Sequence, residues 1–263
     1  MDFLDRVVEE RTRQAQAEGR FDRIPGRGQP LRLADDPAVP DRRTALPRPS
    51  AALLVFDLDG TLADTKQDLS GSVNHVRHEF GLPALDDDAI ARMIGDGARA
   101  LVERALGELA SGKIIDQGLE LFLAYYREHM LDRTTLYPGV EDTLDVLDRC
   151  TLAVLTNKPY RFSRHLLEGL GILDRFVVVY GGNSFDRKKP DPVGLHRIIE
   201  DTGMPASSAW MIGDSAVDVR TGRAAGVRTC GVSYGYGAGG FGNHPPDVLI
   251  DRFAELSAVV SGR

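Results

Sequence analysis

Cysteine is nearly missing from this 263-residue chain. Cys150 and Cys230 stand far apart with no CxxC pairing, so neither a disulfide framework nor a thiolate zinc cluster can be built. Both are expected as packed thiols. No apolar stretch approaches the roughly 20 residues that a bilayer span takes, so membrane insertion is excluded as a reading. An excess of positive charge is also missing: 39 Asp and Glu outnumber 32 Lys and Arg, and the net charge of -7 leaves no electrostatic footprint for nucleic acid. The opening MDFLDRVVEE lacks the basic, apolar and small-residue stretches of a secretory leader, so the expected location is cytoplasmic. What is present is ordinary for a globular chain, with 42% hydrophobic and 27% charged residues, and global disorder is excluded.

Residues 1–50 read as an N-terminal extension. Phe3, Leu4, Val7 and Val8 give one short helical face, and six of the fourteen prolines follow between Pro25 and Pro49, which predicts an extended linker. The stretch FDRIPGRGQPL, Phe21 to Leu31, resembles the opening of a small domain found in some J-domain-related proteins; residues 1–41 bound that likeness. A fused remnant and a docking peptide for a protein partner are the two readings of this segment.

From Ala51 onward, short apolar runs alternate with helical stretches. Strands are predicted at 52–58, 151–156, 176–181, 209–214, 229–233 and 247–250, and helices around 140–149, 160–170, 192–203, 215–225 and 252–260. Continuous apolar strands separated by helices imply an α/β fold, a Rossmann-like doubly wound parallel sheet covered on both faces. Residues 66–133 contain no convincing strand. They read as helices at 66–80, 87–94, 97–110 and 114–131, so a helical insert at 65–136 interrupts a core made of 51–64 and 137–263.

Open parallel sheets bind ligands at the carboxyl ends of their strands, and four ends carry unusual residues. Asp57 and Asp59 follow the first strand two residues apart; unpaired, they would be costly to desolvate, and a hard cation such as Mg2+ resolves that. A lone DxDG is equally a turn with capping aspartates. Thr156 and Asn157 end the second run and offer a hydroxyl and an amide to phosphoryl oxygens. Lys189 precedes a proline-fixed turn. Lysine is scarce here, five residues in all, and Lys158, Lys188 and Lys189 fall in these two turns, which hints at a need for a compact ammonium. Asp214 follows the fourth end, and Asp218 lies one helical turn beyond it on the same face; an N-cap role for Asp214 is the plainer alternative.

In that order the four signatures resemble the haloacid dehalogenase superfamily, over essentially residues 51–260. The insert looks like the helical cap of that superfamily. MIGDGARALVERAL (93–106), LYPGVEDTL (136–144), LTNKP, KKPDP and GVSYGYG (231–237) are similar to a branch of it, the bacterial phosphoglycolate phosphatases. The resemblance implies a phosphatase in which Asp57 attacks phosphorus and Asp59 is the general acid and base. It implies Mg2+ held by Asp57, the Asp59 main-chain carbonyl and Asp214, with Asp218 tying down metal-bound water or Lys189. Lys189 supplies positive charge, with Lys188 as the alternative should the turn be offset by one residue. Thr156 and the Asn157 main chain orient the transferred group. Gly95, Asp96 and Gly97, before a helix N-terminus, are the candidates for lining the substrate end; a plain interhelical turn is the alternative. The expected partner is a small phosphorylated metabolite, and the expected assembly a monomer or homodimer.

Asp59 argues against a dehalogenase, which would not need an acid there. A phosphosugar mutase remains as the runner-up, and an idle phosphate-binding or docking module as the non-enzyme alternative. Gly235, Gly237 and Gly240 spell GxGxxG, but FGNHPP follows and cannot open a helix, so a loop after a strand is expected rather than a dinucleotide site. His75 and His78 are expected on a solvated helix face, without a third ligand for a metal. Trp210 is expected in the core.

Overall fold

The computed structural model describes residues 52–237 and 240–261. The readings made on residues 1–50 lie outside the described residues. The chain enters through β1 (Leu53–Phe56) and the short β2 (Ala63–Asp64). It then runs through α1 (Lys66–Glu79), α2 (Asp87–Ala91), α3 (Ala98–Leu106) and α4 (Gly112–His129). It returns through β3 (Thr135–Leu136), α5 (Val140–Val146), β4 (Thr151–Leu155), α6 (Tyr160–Gly169), β5 (Val178–Tyr180) and α7 (Val193–Thr202). The remaining elements are β6 (Ala209–Gly213), α8 (Ala216–Ala224), β7 (Arg228–Val232), β8 (Val248–Ile250) and α9 (Leu256–Ser261).

Six strands form one sheet in the order β5-β4-β1-β6-β7-β8, and every pairing in it is parallel. The Rossmann-like expectation therefore holds. The order arises because β1 takes β4 on one side and β6 on the other, so the chain reverses its direction of travel across the sheet beside β1. At such a reversal the two flanking connections diverge and leave a crevice beyond the strand ends.

Alternation along β1 explains how the sheet is covered. Leu54 and Phe56 join a core that runs on into the helical insert, while Leu53 and Val55 pack with Leu155, Leu195, Ile198 and Met211 on the opposite face. Burial of each such side chain stabilises the fold by about 1.5–3 kcal/mol. In the insert, Leu69, Val73 and Val76 of α1 and Leu119, Phe122 and Tyr126 of α4 recur at helical spacing and are buried together.

One feature that bears on the site has no counterpart among the predicted strands. β2 and β3 pair antiparallel, Ala63 with Leu136 and Asp64 with Thr135, and form a narrow ribbon where the chain leaves and re-enters the sheet domain. Asp68, buried in the first turn of α1, reinforces it. Its carboxylate accepts from the Arg133 N–H (3.1 Å), the Thr134 N–H (2.9 Å) and the Thr134 hydroxyl (2.7 Å).

Candidate active site

The carboxyl ends of β1, β4 and β6 converge under the helical insert on a cleft. Its floor includes Asp57, Asp59, Thr156, Asn157, Lys158 and Asp214, and its roof is the apolar face of α1, α3 and α4.

Asp57 stands just past β1, its N–H bonded to the Ile212 carbonyl of β6 at 2.9 Å. One carboxylate oxygen, Oδ1, accepts from the Leu58 N–H at 2.8 Å and pairs with Lys189 Nζ at 2.9 Å. The other takes no hydrogen bond from the described residues. Lys189 Nζ also meets Asp218 Oδ1 at 2.6 Å, and Asp218 Oδ2 accepts from the Ser215 hydroxyl (2.7 Å) and N–H (3.2 Å), capping α8. Asp218 thus meets Lys189, one of its two expected roles. Lys188, the alternative lysine, is exposed and its Nζ instead bonds the Asp96 carbonyl in the insert.

Electrostatics follow from this crowding. Burial, opposed by Lys189 and assisted by Asp218 and Asp59, pushes the Asp57 carboxyl up to about 6. Burial and repulsion from Asp218 and Asp57 hold Asp214 well above the usual carboxylate range, although Tyr236 and Lys189 pull the other way. For Lys189 burial opposes the charged form, but Asp218 and Asp57 together outweigh it and its pKa is raised. Asp57, Asp214 and Asp218 offer carboxylate atoms within 4.8 Å of one another, three acids against the one ammonium of Lys189. That negative surplus in a buried place fits a hard divalent cation. Asp214 keeps Oδ1 free of described partners, and it and Asp57 would hold the ion; the Asp59 main-chain carbonyl is what the family likeness adds.

Asp59 has a partner that the sequence reading left out. Lys158 Nζ lies 3.0 Å from both Asp59 oxygens, and the Thr65 hydroxyl donates to Oδ1 at 2.7 Å. Lys158 also sits over the Tyr126 ring of α4, 4.6 Å from its centre. Burial opposes the Lys158 ammonium, yet Asp59 and Tyr126 overcome this and raise its pKa. The clustering of three of the five lysines was the available signal. It could not assign Lys158 because Asp59 lies 99 residues away in the chain.

Thr156 and Asn157 line the cleft, as do Gly95 and Gly97. The Asn157 side-chain amide is spent on backbone, donating to the Gly95 carbonyl (2.9 Å) and the Lys189 carbonyl (3.0 Å). It therefore clamps the insert to the Lys189 turn and has no N–H left for a ligand. Asp96 departs from the reading that it lines the substrate end. It is not on the cleft wall, and its carboxylate pairs with Arg104. Of the GxGxxG stretch, the described Gly235–Gly237 lie in no helix or strand, and they reach the site. The N–H groups of Tyr236 and Gly237 donate to Asp214 Oδ2 at 2.6 and 3.1 Å. A Cβ at Gly235 or Gly237 would stand 2.2 Å from Asp214 Cβ or 2.0 Å from the Asp214 carbonyl oxygen, so glycine is what permits that approach. Away from the site, Trp210 is buried, half-buried His75 stacks on Tyr125 with ring centroids 4.3 Å apart, and His78 is exposed.

A parallel sheet with paired acids and a lysine at its strand ends, roofed by a helical insert, defines a capped Rossmann-like enzyme. The comparisons narrow this. The sequence matches the haloacid dehalogenase-like hydrolases over residues 54–232. Phosphoglycolate phosphatase of Chromobacterium violaceum is 39% identical over 210 residues, which cover 77% of this chain and 93% of that one. The enzyme of the same name from Agrobacterium fabrum is 38% identical over 216 residues, 80% of this chain and 92% of that one. Among solved structures, a predicted phosphoglycolate phosphatase of Haemophilus somnus 129pt superposes with a TM-score of 0.75 at 30% identity, over 79% of this chain and 97% of that one. The chain belongs to the haloacid dehalogenase-like hydrolases, and its place among them is with the phosphatases. Residues 7–48 match the conserved domain of DnaJ homologue subfamily C member 28, in line with the J-domain-related likeness read from the sequence.

Proposed function

We propose that the protein is a Mg2+-dependent phosphatase that hydrolyses a small phosphomonoester, 2-phosphoglycolate, through a phosphoaspartate on Asp57. The observation that supports it best is the division of labour around that carboxylate. One oxygen is pinned by the Leu58 N–H and Lys189, the other has no partner among the described residues, and Asp59 stands two residues on at the same cleft. The free oxygen attacks phosphorus as the ester P–O bond breaks, and Asp59 delivers its proton to the departing alkoxide. Water then attacks phosphorus, its proton returns to Asp59, and cleavage of the Asp57–phosphorus link frees inorganic phosphate. Lys189 offsets the charge gathered at Asp57, while Thr156, whose Oγ1 accepts from the Lys158 N–H at 3.3 Å, has its hydroxyl proton to give to a phosphoryl oxygen. Bound Mg2+ would supply the remaining positive charge against which an anionic ester approaches an anionic nucleophile. The 2-phosphoglycolate assignment draws on the relatives named above, and a cytoplasmic setting accords with two free cysteines.

The test is phosphate release from a panel of phosphomonoesters, with Mg2+ or with a chelator. The expected result is the highest kcat/KM for 2-phosphoglycolate, loss of turnover with the chelator, and a fall of at least about 10^3-fold for Asp57→Asn in a folded protein. Substantial turnover by that variant excludes Asp57 as the nucleophile. Release from no ester at all favours a phosphate-binding module, and return of phosphate to a second sugar position favours a mutase.

A further inference from the structure

We propose that Lys158, with the Tyr126 hydroxyl, receives the carboxylate that distinguishes a phosphorylated hydroxy acid from a neutral phosphate ester, and so determines specificity. The inference rests on the phosphatase reading and names the part of the substrate that the catalytic residues do not address.

Among the described residues lining the cleft, Lys158 alone carries a positive charge; Lys189 lies behind Asp57 and is not on the wall. The roof above it is apolar, formed by Leu69, Leu101, Phe122 and Leu123, so a second anionic group on a substrate has no other cation to meet. The Lys158 side chain is 4% exposed and its counter-ion is Asp59. Nζ stands 3.0 Å from both Asp59 oxygens, which leaves at least one of its three protons for a further acceptor entering from the cleft. The Tyr126 hydroxyl supports the same assignment: it is buried on the cleft-lining face of α4 beside Lys158, and no acceptor among the described residues takes its proton. A buried donor of this kind is satisfied when a ligand acceptor arrives.

The test compares 2-phosphoglycolate with ethyl phosphate, which keeps two carbons and the ester but has no carboxylate, using the full-length protein. The quantity read is the ratio of their kcat/KM values. Lys158 also holds Asp59, so Lys158→Met is expected to slow both esters; that shared loss is not the readout. The ratio is expected to fall at least about 30-fold, to recover in part in Lys158→Arg, and to fall about threefold to tenfold in Tyr126→Phe. Lys158→Gln, which keeps length and polarity, replaces the methionine variant should that one fail to fold. A wild-type preference for 2-phosphoglycolate that survives loss of the ammonium overturns the assignment and leaves the phosphatase reading standing. A wild-type enzyme with no such preference overturns the substrate itself.

Discussion

Asp57 and Asp214 are buried among like charges, and that placement has a consequence for pH. The Asp57 carboxyl rises from 3.8 to about 6, chiefly through burial. Below the lower value both folded and unfolded chains carry the proton, and the group does not affect stability. Between the two values the folded chain keeps a proton that the unfolded chain releases, so stability falls as pH rises, by an amount of order 1–3 kcal/mol above pH 6. In metal-free protein, Asp57→Asn is therefore expected to gain in Tm relative to wild type as pH goes from 4 to 7. Added Mg2+ should narrow that gap by stabilising the wild-type carboxylates. A difference in Tm that stays constant across this range would show that Asp57 is not held in an unfavourable charged state. The motif residues themselves were legible because each follows an apolar run. Their hydrogen bonds were not: which lysine meets Asp57, and that Lys158 meets Asp59, depends on side chains brought from distant strands.

At the scale of elements, the ribbon and Asp68 are the link between the insert and the sheet. The Arg133 and Thr134 N–H groups lie where the chain re-enters the sheet domain, and the Asp68 carboxylate satisfies both while accepting the Thr134 hydroxyl. Asp68→Ala strands these donors in a buried setting, so it is expected to cost about 2–4 kcal/mol in urea unfolding, more than the loss of one exposed helix residue. A cost below about 0.5 kcal/mol would mean that water replaces the carboxylate and that the link does not depend on it. The long helices and buried strands were readable from periodicity, since four or more residues of pattern separate a period of 2 from one of 3.6. β2 and β3 were not, because two residues each carry no period; their pairing is set by the helices that bring them together. Asp68 was hidden likewise, an acid at a helix start that reads as ordinary capping chemistry until residues 133 and 134 arrive beside it.

At the scale of the whole molecule, every residue named at the site lies among the described residues. The acids, lysines and glycines of the site span Asp57 to Gly237, and the sheet that carries them begins at Leu53. The Chromobacterium violaceum relative is matched over 93% of its length by 210 residues of this chain, so a protein of nearly that extent suffices for the relative. Residues 7–48 instead match a separate conserved domain, and their composition, rich in arginine and proline, differs from that of the α/β region. Deletion of residues 1–50 is thus expected to leave kcat/KM for 2-phosphoglycolate within about twofold and to shift Tm by no more than a few degrees, because no site residue is removed. Comparing the full-length and shortened proteins in the same phosphate-release assay and thermal scan checks both. A loss of activity with an unchanged Tm would mean that the extension contributes to substrate binding or closure. A collapse of Tm would mean that it packs on the sheet domain and belongs to the same folding unit.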